Sequence, residues 1–385
     1  MNELRSKAIG SLAGAAVGDA LGSATEGWSH EQILKRYGGP VTGIVAPYND
    51  ARAGTTRYQK GDGRVTDDTL MTLALVEVYR KRRRHLGAYD VAETLVPLIM
   101  NTVRWLPDME REDTLLQRLF LAEKWLVTKL FYAHTDPREA GVGNMVNCGA
   151  AMYMAPVGIA NAGDPDGAYA EAIDIAGAHQ SSYGREAAGV MAGAVAAAMA
   201  PGATAEDVAE VAIRLAHDGT RAALEAVCAS AANIGDWRST AAPLREAIAP
   251  YDTVGPDFRE GGLGARRPSR LHSIEELPIA IGLVLITRGS LESAVLGGVN
   301  YGRDADSIAT MAGAITGALG GRDAVPEQWR EFVARESRID LEEPGILMAD
   351  VAEEIFASDD RRHTSRSDAM RRVREGLHAG HVGPA

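Results

Sequence analysis

Two short acidic stretches hold the residues best suited to chemistry: Thr66-Asp67-Asp68 and, far downstream, Asp304-Ala305-Asp306-Ser307. Each supplies two carboxylates and a hydroxyl, hard oxygen donors of the kind that Mg²⁺, Mn²⁺ and Ca²⁺ accept. Read singly, each is also an ordinary helix start. A Thr or Asp accepts from free backbone N–H groups, and acids suit the positive end of the helix dipole. Asp304 and Ser307 stand three apart and share one side of a helical turn, whereas Asp306 converges with them only at a helix end. Together the two stretches favour a metal site. Four carboxylates brought close without compensation repel one another. A pair of divalent cations relieves that repulsion and explains why the pattern occurs twice. Oxygen-only donors point away from zinc.

Both stretches run straight into apolar, small-residue segments, TLMTLALVEVY and IATMAGAITGALGG. Helical periodicity spans 7–23, 68–84, 114–132, 185–200, 205–217, 220–234 and 305–319. Strand signals are weak, and VTGIV at 41–45 is expected as one short strand. The chain has 42 glycines and five phenylalanines, so its core must rely on small side chains and close helix-to-helix approach. The expected fold is all-α: a compact multi-helix bundle with a binuclear metal site. One domain is expected over 1–357, followed by a charged, partly exposed extension over 358–385 that begins as a helix and frays. Two Gly- and Pro-rich stretches, 37–63 and 249–270, read as long loops. The first leads into the Thr66 motif, which favours a functional role.

The formal net charge is −12 over 385 residues. Such a balance disfavours nucleic acid but allows a phosphorylated small ligand in a local pocket. Cys148 and Cys228 are too few for a disulfide framework or a thiolate zinc site, and a reducing compartment is the simpler reading. The apolar start of the chain is interrupted by Asp19 and lacks a clear cleavage pattern, and no long uncharged apolar run follows. A cytoplasmic protein without a membrane span is the default expectation.

Three motifs resemble the ADP-ribosylglycohydrolase family: GAAVGDALGSATEGW at 14–28, TDDTLM at 66–71 and YGRDADSIATMAGAITGA at 301–318. The resemblance implies an all-α fold with a binuclear magnesium centre. Thr66, Asp67, Asp68, Asp304, Asp306 and Ser307 stand at its ligand positions, with two Mg²⁺ expected and Mn²⁺ as the alternative. Glu26 stands at the place of the family's mobile glutamate. Gly14, Gly18, Asp19 and Gly22 match its first helix, Asp19 being either a buried structural residue or a ligand. CGAAMYMAPVG at 148–158 resembles a further family segment, but Cys148 stands where Asn is usual and Tyr153 where Arg is usual. The loop before it, with Gly143 and Asn144, together with Cys148, Gly149 and His179, is expected to face the substrate. Its alternative role is an ordinary interhelical turn, and a lone His is often structural.

The expected reaction is hydrolysis of a glycosidic bond at the anomeric carbon of ribose. Its substrate is a small ribosyl compound or an ADP-ribosylated protein. Glu26 would position the sugar or act as a gate, and Asp67 or Asp306 would accept the proton of the attacking water. A ligand carboxylate is a poor base, so a further base is also considered. The alternatives are an N-glycosidase for a nucleoside or other small ribosyl compound, and a non-catalytic sensor of an ADP-ribose-type ligand. The departures at Cys148, Tyr153, QSSYGRE after His179, and Arg303 favour a smaller ribosyl compound over ADP-ribosyl-arginine protein.

Overall fold

The computed structural model describes residues 2–46, 60–144, 147–252 and 273–376. Seven helices position the site: α1 (Glu3–Gly22), α2 (Asp67–Arg82), α3 (Tyr183–Ala198), α4 (Ser273–Ile286), α5 (Leu291–Tyr301), α6 (Ala305–Gly320) and α7 (Glu343–Arg374). Glycine recurs every fourth residue along one face of α1, at 10, 14, 18 and 22. Opposite them, running antiparallel, lie Gly317, Gly313, Ala309 and Ala305 of α6. A Cβ added at Gly14 would land on the Gly313 carbonyl oxygen, and one at Gly18 on that of Ala309. Backbone thus lies on backbone. The antiparallel pairing brings the C-terminal end of α1 level with the N-terminal end of α6.

Every residue of α1 from Lys7 to Gly22 is buried. The Lys7 ammonium donates to the carbonyls of Ala198 at 2.9 Å and Ala318 at 3.1 Å, near the C-terminal ends of α3 and α6. A cation there satisfies orphan carbonyls and the negative end of each dipole. The α1–α6 pair also divides the apolar interior. One cluster takes in Leu12, Met71, Leu75 and Met311; the other takes in Val17, Leu21, Val65 and Val299.

Among the described residues the all-α expectation holds apart from one small antiparallel hairpin, Val103–Leu106 with Arg111–Thr114, and an isolated bridge between Gly61 and Arg64. The 41–45 segment is irregular rather than a strand: Asn300 both donates to the Val41 carbonyl and accepts from its N–H, each at 2.8 Å, in place of a neighbouring strand. The periodic stretch 114–132 is not one helix. Thr114 ends the hairpin, Leu115–Arg118 makes one turn, and Leu119 and Phe120 are extended. Leu121–Leu126 then passes into the π-helical turn Val127–Tyr132. The break lets Arg118 turn inward, a demand that apolar periodicity does not report. Of the two expected loops, 47–59 and 253–270 lie outside the described residues. α7 runs unbroken across 357/358; its last buried residue is Ile355, and nearly all residues after it are exposed.

The glycine seam generates a sign test. Gly18→Ala gains about 1 kcal/mol of helix propensity, but its Cβ meets backbone that has no rotamer to yield, where overpacking typically costs about 1–3 kcal/mol or more. Gly18→Ala is therefore expected to lower the melting temperature. Gly235→Ala, where a Cβ meets nothing within 4 Å, leaves it near wild type. Thermal melts of the two variants decide whether the seam is as tight as described.

Candidate active site

Three helix ends meet where α1 stops and α2 and α6 start. Asp19, in the last turn of α1, is fully buried and accepts four hydrogen bonds. They come from Thr66 N (2.8 Å), Thr66 Oγ1 (2.8 Å), Thr69 N (3.1 Å) and Thr69 Oγ1 (2.5 Å). An aspartate from another helix thus caps α2, which fixes the direction in which Asp67 and Asp68 leave the chain. The loop after α1 is tied to the α5–α6 junction. Gly27 N donates to Arg303 O at 2.6 Å, and Arg303 N donates to Trp28 O at 2.7 Å. Gly302 has φ +79, and a Cβ there would strike the Trp28 carbonyl, so this crossing needs glycine. These ties bring Glu26 beside Asp304 and Asp306.

Thr66, Asp67, Asp68, Asp304, Asp306 and Ser307 are all buried. Asp19, Asp68 and Asp306 each offer an oxygen within 4.8 Å of the others, and so do Glu26, Asp304 and Asp306. Cys148 Sγ, Glu276 and Asp304 form a third such group. Asp306 and Asp304 are shared between groups, so the donors form one continuous acidic strip. Burial, above all, and then Asp306, Asp19, Asp67 and Asp304 push the Asp68 carboxyl well above the usual carboxylate range. Asp68 Oδ1 is buried with no hydrogen-bond partner. Burial pushes Asp19 up to about 7 despite the bonds it accepts from Thr69, and Asp306 adds to the rise. Hard oxygen donors, crowded acids and an orphaned buried carboxylate oxygen fit a divalent cation.

Among the described residues, two side-chain cations stand at this strip. Arg118 is wholly buried and pairs with Asp67 Oδ1 at 3.0 Å and Asp108 Oδ2 at 2.5 Å. Lys60 forms an ion pair with Glu26 and lies 3.6 Å from Asp306 Oδ2. Neither was singled out from the sequence, nor were Glu123 and Glu276. Glu276 left a faint signal: the pair Glu275-Glu276 begins an otherwise apolar helix. Arg118 and Lys60 sit in no motif.

The residues expected to face a substrate divide in two. Cys148 and Gly149 lie against the acidic strip and its surroundings. The Cys148 thiol donates to Asp304 Oδ2 at 3.2 Å. Burial, then Asp304, Glu276 and Asp68, push it well above the ordinary thiol value, so it stays neutral. A Cβ at Gly149 would collide with Glu123 Oε1 and Asn147 Oδ1. Glu123 is itself fully buried, and burial, then Asp67, push it up to about 7. Asn144 and His179 instead brace the loop from behind. The Asn144 amide donates to the carbonyls of Ala122 and His179, each at 2.8 Å. His179 is fully buried, with Nδ1 3.0 Å from the Tyr153 hydroxyl and Nε2 3.2 Å from the Ala122 carbonyl. Burial lowers its pKa to about 4, so it is neutral and both ring nitrogens are engaged. Gly143 sits in the same loop at φ +92, beside the Trp125 ring.

Of the departures from the family pattern, Tyr153, Gln180 and Arg303 are internal, whereas Ser182 and Tyr183 are exposed. Tyr153 is fully buried and stacks on His179 with ring centroids 5.8 Å apart. Gln180 donates to Asn147 O at 2.9 Å and accepts from Ala150 N at 2.9 Å. Arg303 is paired with Glu275 at 2.7 Å and Asp252 at 3.2 Å, in a network that also holds Arg245 and Tyr301.

The model of the ADP-ribosylglycohydrolase family matches residues 1–363. This chain belongs to the ADP-ribosylglycohydrolase family. It is a glycosyl hydrolase, and the acidic strip supplies the donors that a metal-dependent family requires. An uncharacterised protein of Archaeoglobus fulgidus is 28% identical over 340 residues, covering 83% of this chain and 89% of that protein. The human ADP-ribosylhydrolase ARH3 is 50% identical over 42 residues, which are 11% of this chain and 12% of ARH3. A solved ADP-ribosylglycohydrolase-related protein complex shares the fold, with a TM-score of 0.57 at 21% identity, over 92% of this chain and 99% of that one. Among the described residues no helix is long and apolar enough to cross a membrane.

The raised carboxyls set a pH dependence. Asp19, Asp68 and Glu123 hold protons in the metal-free fold that the unfolded chain has released above the ordinary carboxylate range. Folding then takes up protons, and stability falls as pH rises from that range toward 7 and beyond. His179 acts in the opposite sense below 6.5, whereas His85, raised to about 9 by its bond to Glu171, adds to the fall above 6.5. Chelator-stripped protein should therefore melt lower at about pH 7.5 than at about pH 5.5, and millimolar Mg²⁺ should remove most of the difference. A stripped protein whose melting temperature rises over that interval contradicts the assignment.

Proposed function

We propose that the protein is a Mg²⁺-dependent hydrolase that cleaves the glycosidic bond to the anomeric carbon of ribose. Its substrate is an ADP-ribosylated molecule or an ADP-ribose-like metabolite. The observation that carries this reading is the convergence of Asp68, Asp304 and Asp306, from the starts of two separate helices, with Asp19 and Glu26 into one buried strip with an orphaned carboxylate oxygen. Thr66, Asp67, Asp68, Asp304, Asp306 and Ser307 would hold two Mg²⁺, with Mn²⁺ as the alternative. Bound there, the ions would supply Lewis-acid stabilisation and orient the ribose hydroxyls.

The chain's own residues do the rest. Arg118 and Asp108 hold Asp67 in place. Asp19 holds Thr66 and the start of α2. Cys148 donates to Asp304 and restrains that carboxylate. Glu26, on the loop beside Asp304 and Asp306, positions the sugar or gates its entry. Asp306 or Asp67 accepts the proton of the attacking water. Tyr153, Gln180 and Arg303 are engaged inside the fold and do not argue for a changed leaving group. The ADP-ribosyl class of the family is therefore the leading substrate class.

Release of product from ADP-ribosyl-arginine, ADP-ribosyl-serine, O-acetyl-ADP-ribose and simple nucleosides, assayed with Mg²⁺, Mn²⁺ and EDTA, tests the reading. Turnover on at least one ADP-ribosyl compound, abolished by EDTA, is expected. Asp68→Asn and Asp306→Asn should each lower kcat/KM a hundredfold or more, about 2.7 kcal/mol of barrier. In stripped protein the same variants should melt no lower than wild type, because Asp306→Asn removes a crowded charge and Asp68→Asn replaces a carboxyl that burial already keeps protonated. Equal loss of stability with and without metal would favour simple helix capping.

A further inference from the structure

We infer that Lys60 is a resident cation at the Glu26–Asp306 edge of the acidic strip, which a divalent metal must displace to load the site. The inference rests on the metal reading above and adds to it a competitor built into the chain. Lys60 pairs with Glu26 and lies 3.6 Å from Asp306, and the two carboxylate side chains are only 3% and 5% exposed. Among the described residues, Glu26, Asp304 and Asp306 form one of three groups whose donor atoms lie within 4.8 Å of one another. The ammonium therefore stands at donors that a metal ion would use. It brings three hydrogen-bond donors and no acceptor, so it can neutralise these oxygens but cannot share them with a second cation. In so buried a place, two like charges on the same oxygens repel strongly.

The placement is set by the backbone. Gly61 N donates to Ser23 Oγ at 3.1 Å, and Asp62 N donates to Val45 O at 2.7 Å. Lys60 is thereby anchored in register with the end of α1. Arg118 differs in kind: its planar fork is wholly buried between Asp67 and Asp108 and has no room to leave. Lys60 has a long flexible stem and a side chain 17% exposed. The ring of Phe120, which also lies 5.0 Å from the Arg118 guanidinium, is 5.9 Å from the Lys60 ammonium and 40% exposed, so this side of Lys60 leads toward solvent. Displacement breaks the Lys60–Glu26 ion pair in the same event, so metal loading and loss of that pair become one coupled step.

Calorimetric titration of Mn²⁺ into chelator-stripped wild type, Lys60→Met and Lys60→Gln, with melts of stripped and loaded protein, tests this. Both variants should bind Mn²⁺ at least about tenfold more tightly than wild type. Stripped, they should melt below stripped wild type, because the crowded acids have lost a counter-ion. Loaded, they should match it. Lys60→Gln covers the case in which Lys60→Met does not fold. Wild type that binds Mn²⁺ while either folded variant binds it equally or more weakly overturns the role of Lys60 alone. Wild type that takes up no Mn²⁺ overturns the metal reading and the displacement with it.

Discussion

α1 approaches α6 more closely than side chains allow, and the levels of the two helices are set by that contact. Glycine on one face and glycine or alanine on the other let carbonyl oxygens meet the opposite backbone. Sliding one helix past the other by a residue would bring a Cβ into every contact. The end of α1 and the start of α6 are therefore fixed relative to each other, and Asp19, Glu26, Asp304 and Asp306 are fixed with them. The start of α2 joins this frame through Asp19, which gives the helix a cap from outside its own sequence.

Once placed, the carboxylates pose an electrostatic problem that the described residues answer in three ways. Arg118 neutralises Asp67 permanently, Lys60 answers Glu26 and Asp306, and protons held by Asp19, Asp68 and Glu123 reduce the remaining charge. The neutral Cys148 thiol contributes a donor without adding a charge. Of these answers the protons and Lys60 are reversible. The acidic strip is thus held together without being permanently neutralised, as a site that exchanges cations requires.

Much of the fold was legible because its signals are local. The abundance of glycine and scarcity of phenylalanine announced close helix packing, and the Thr66 and Asp304 stretches stand contiguous at helix starts. What was not legible depends on partners distant in sequence. Arg118 breaks the 114–132 periodicity to reach Asp67 and Asp108, and nothing near it in the chain announces either partner. Lys60 and Glu276 reach the strip from a glycine-rich turn and from the first turn of α4. Asn144 belongs to the expected loop and His179 lies well downstream of it, yet both brace it from behind, since a glycine-rich segment and a lone His do not reveal which side chains turn inward. The 41–45 segment looked like a strand by composition and lacked a partner strand.

The glycine seam has a consequence for how this enzyme can drift. Every single-base change to a glycine codon that yields another amino acid adds at least a Cβ, so mutations at the seam meet a steric barrier whatever the new chemistry. A descendant that lost its reaction but kept its fold would still need those glycines, while its acids would be free to decay. In a lineage of such proteins the seam records ancestry of the scaffold. The aspartates at its mouth record whether selection for turnover has continued.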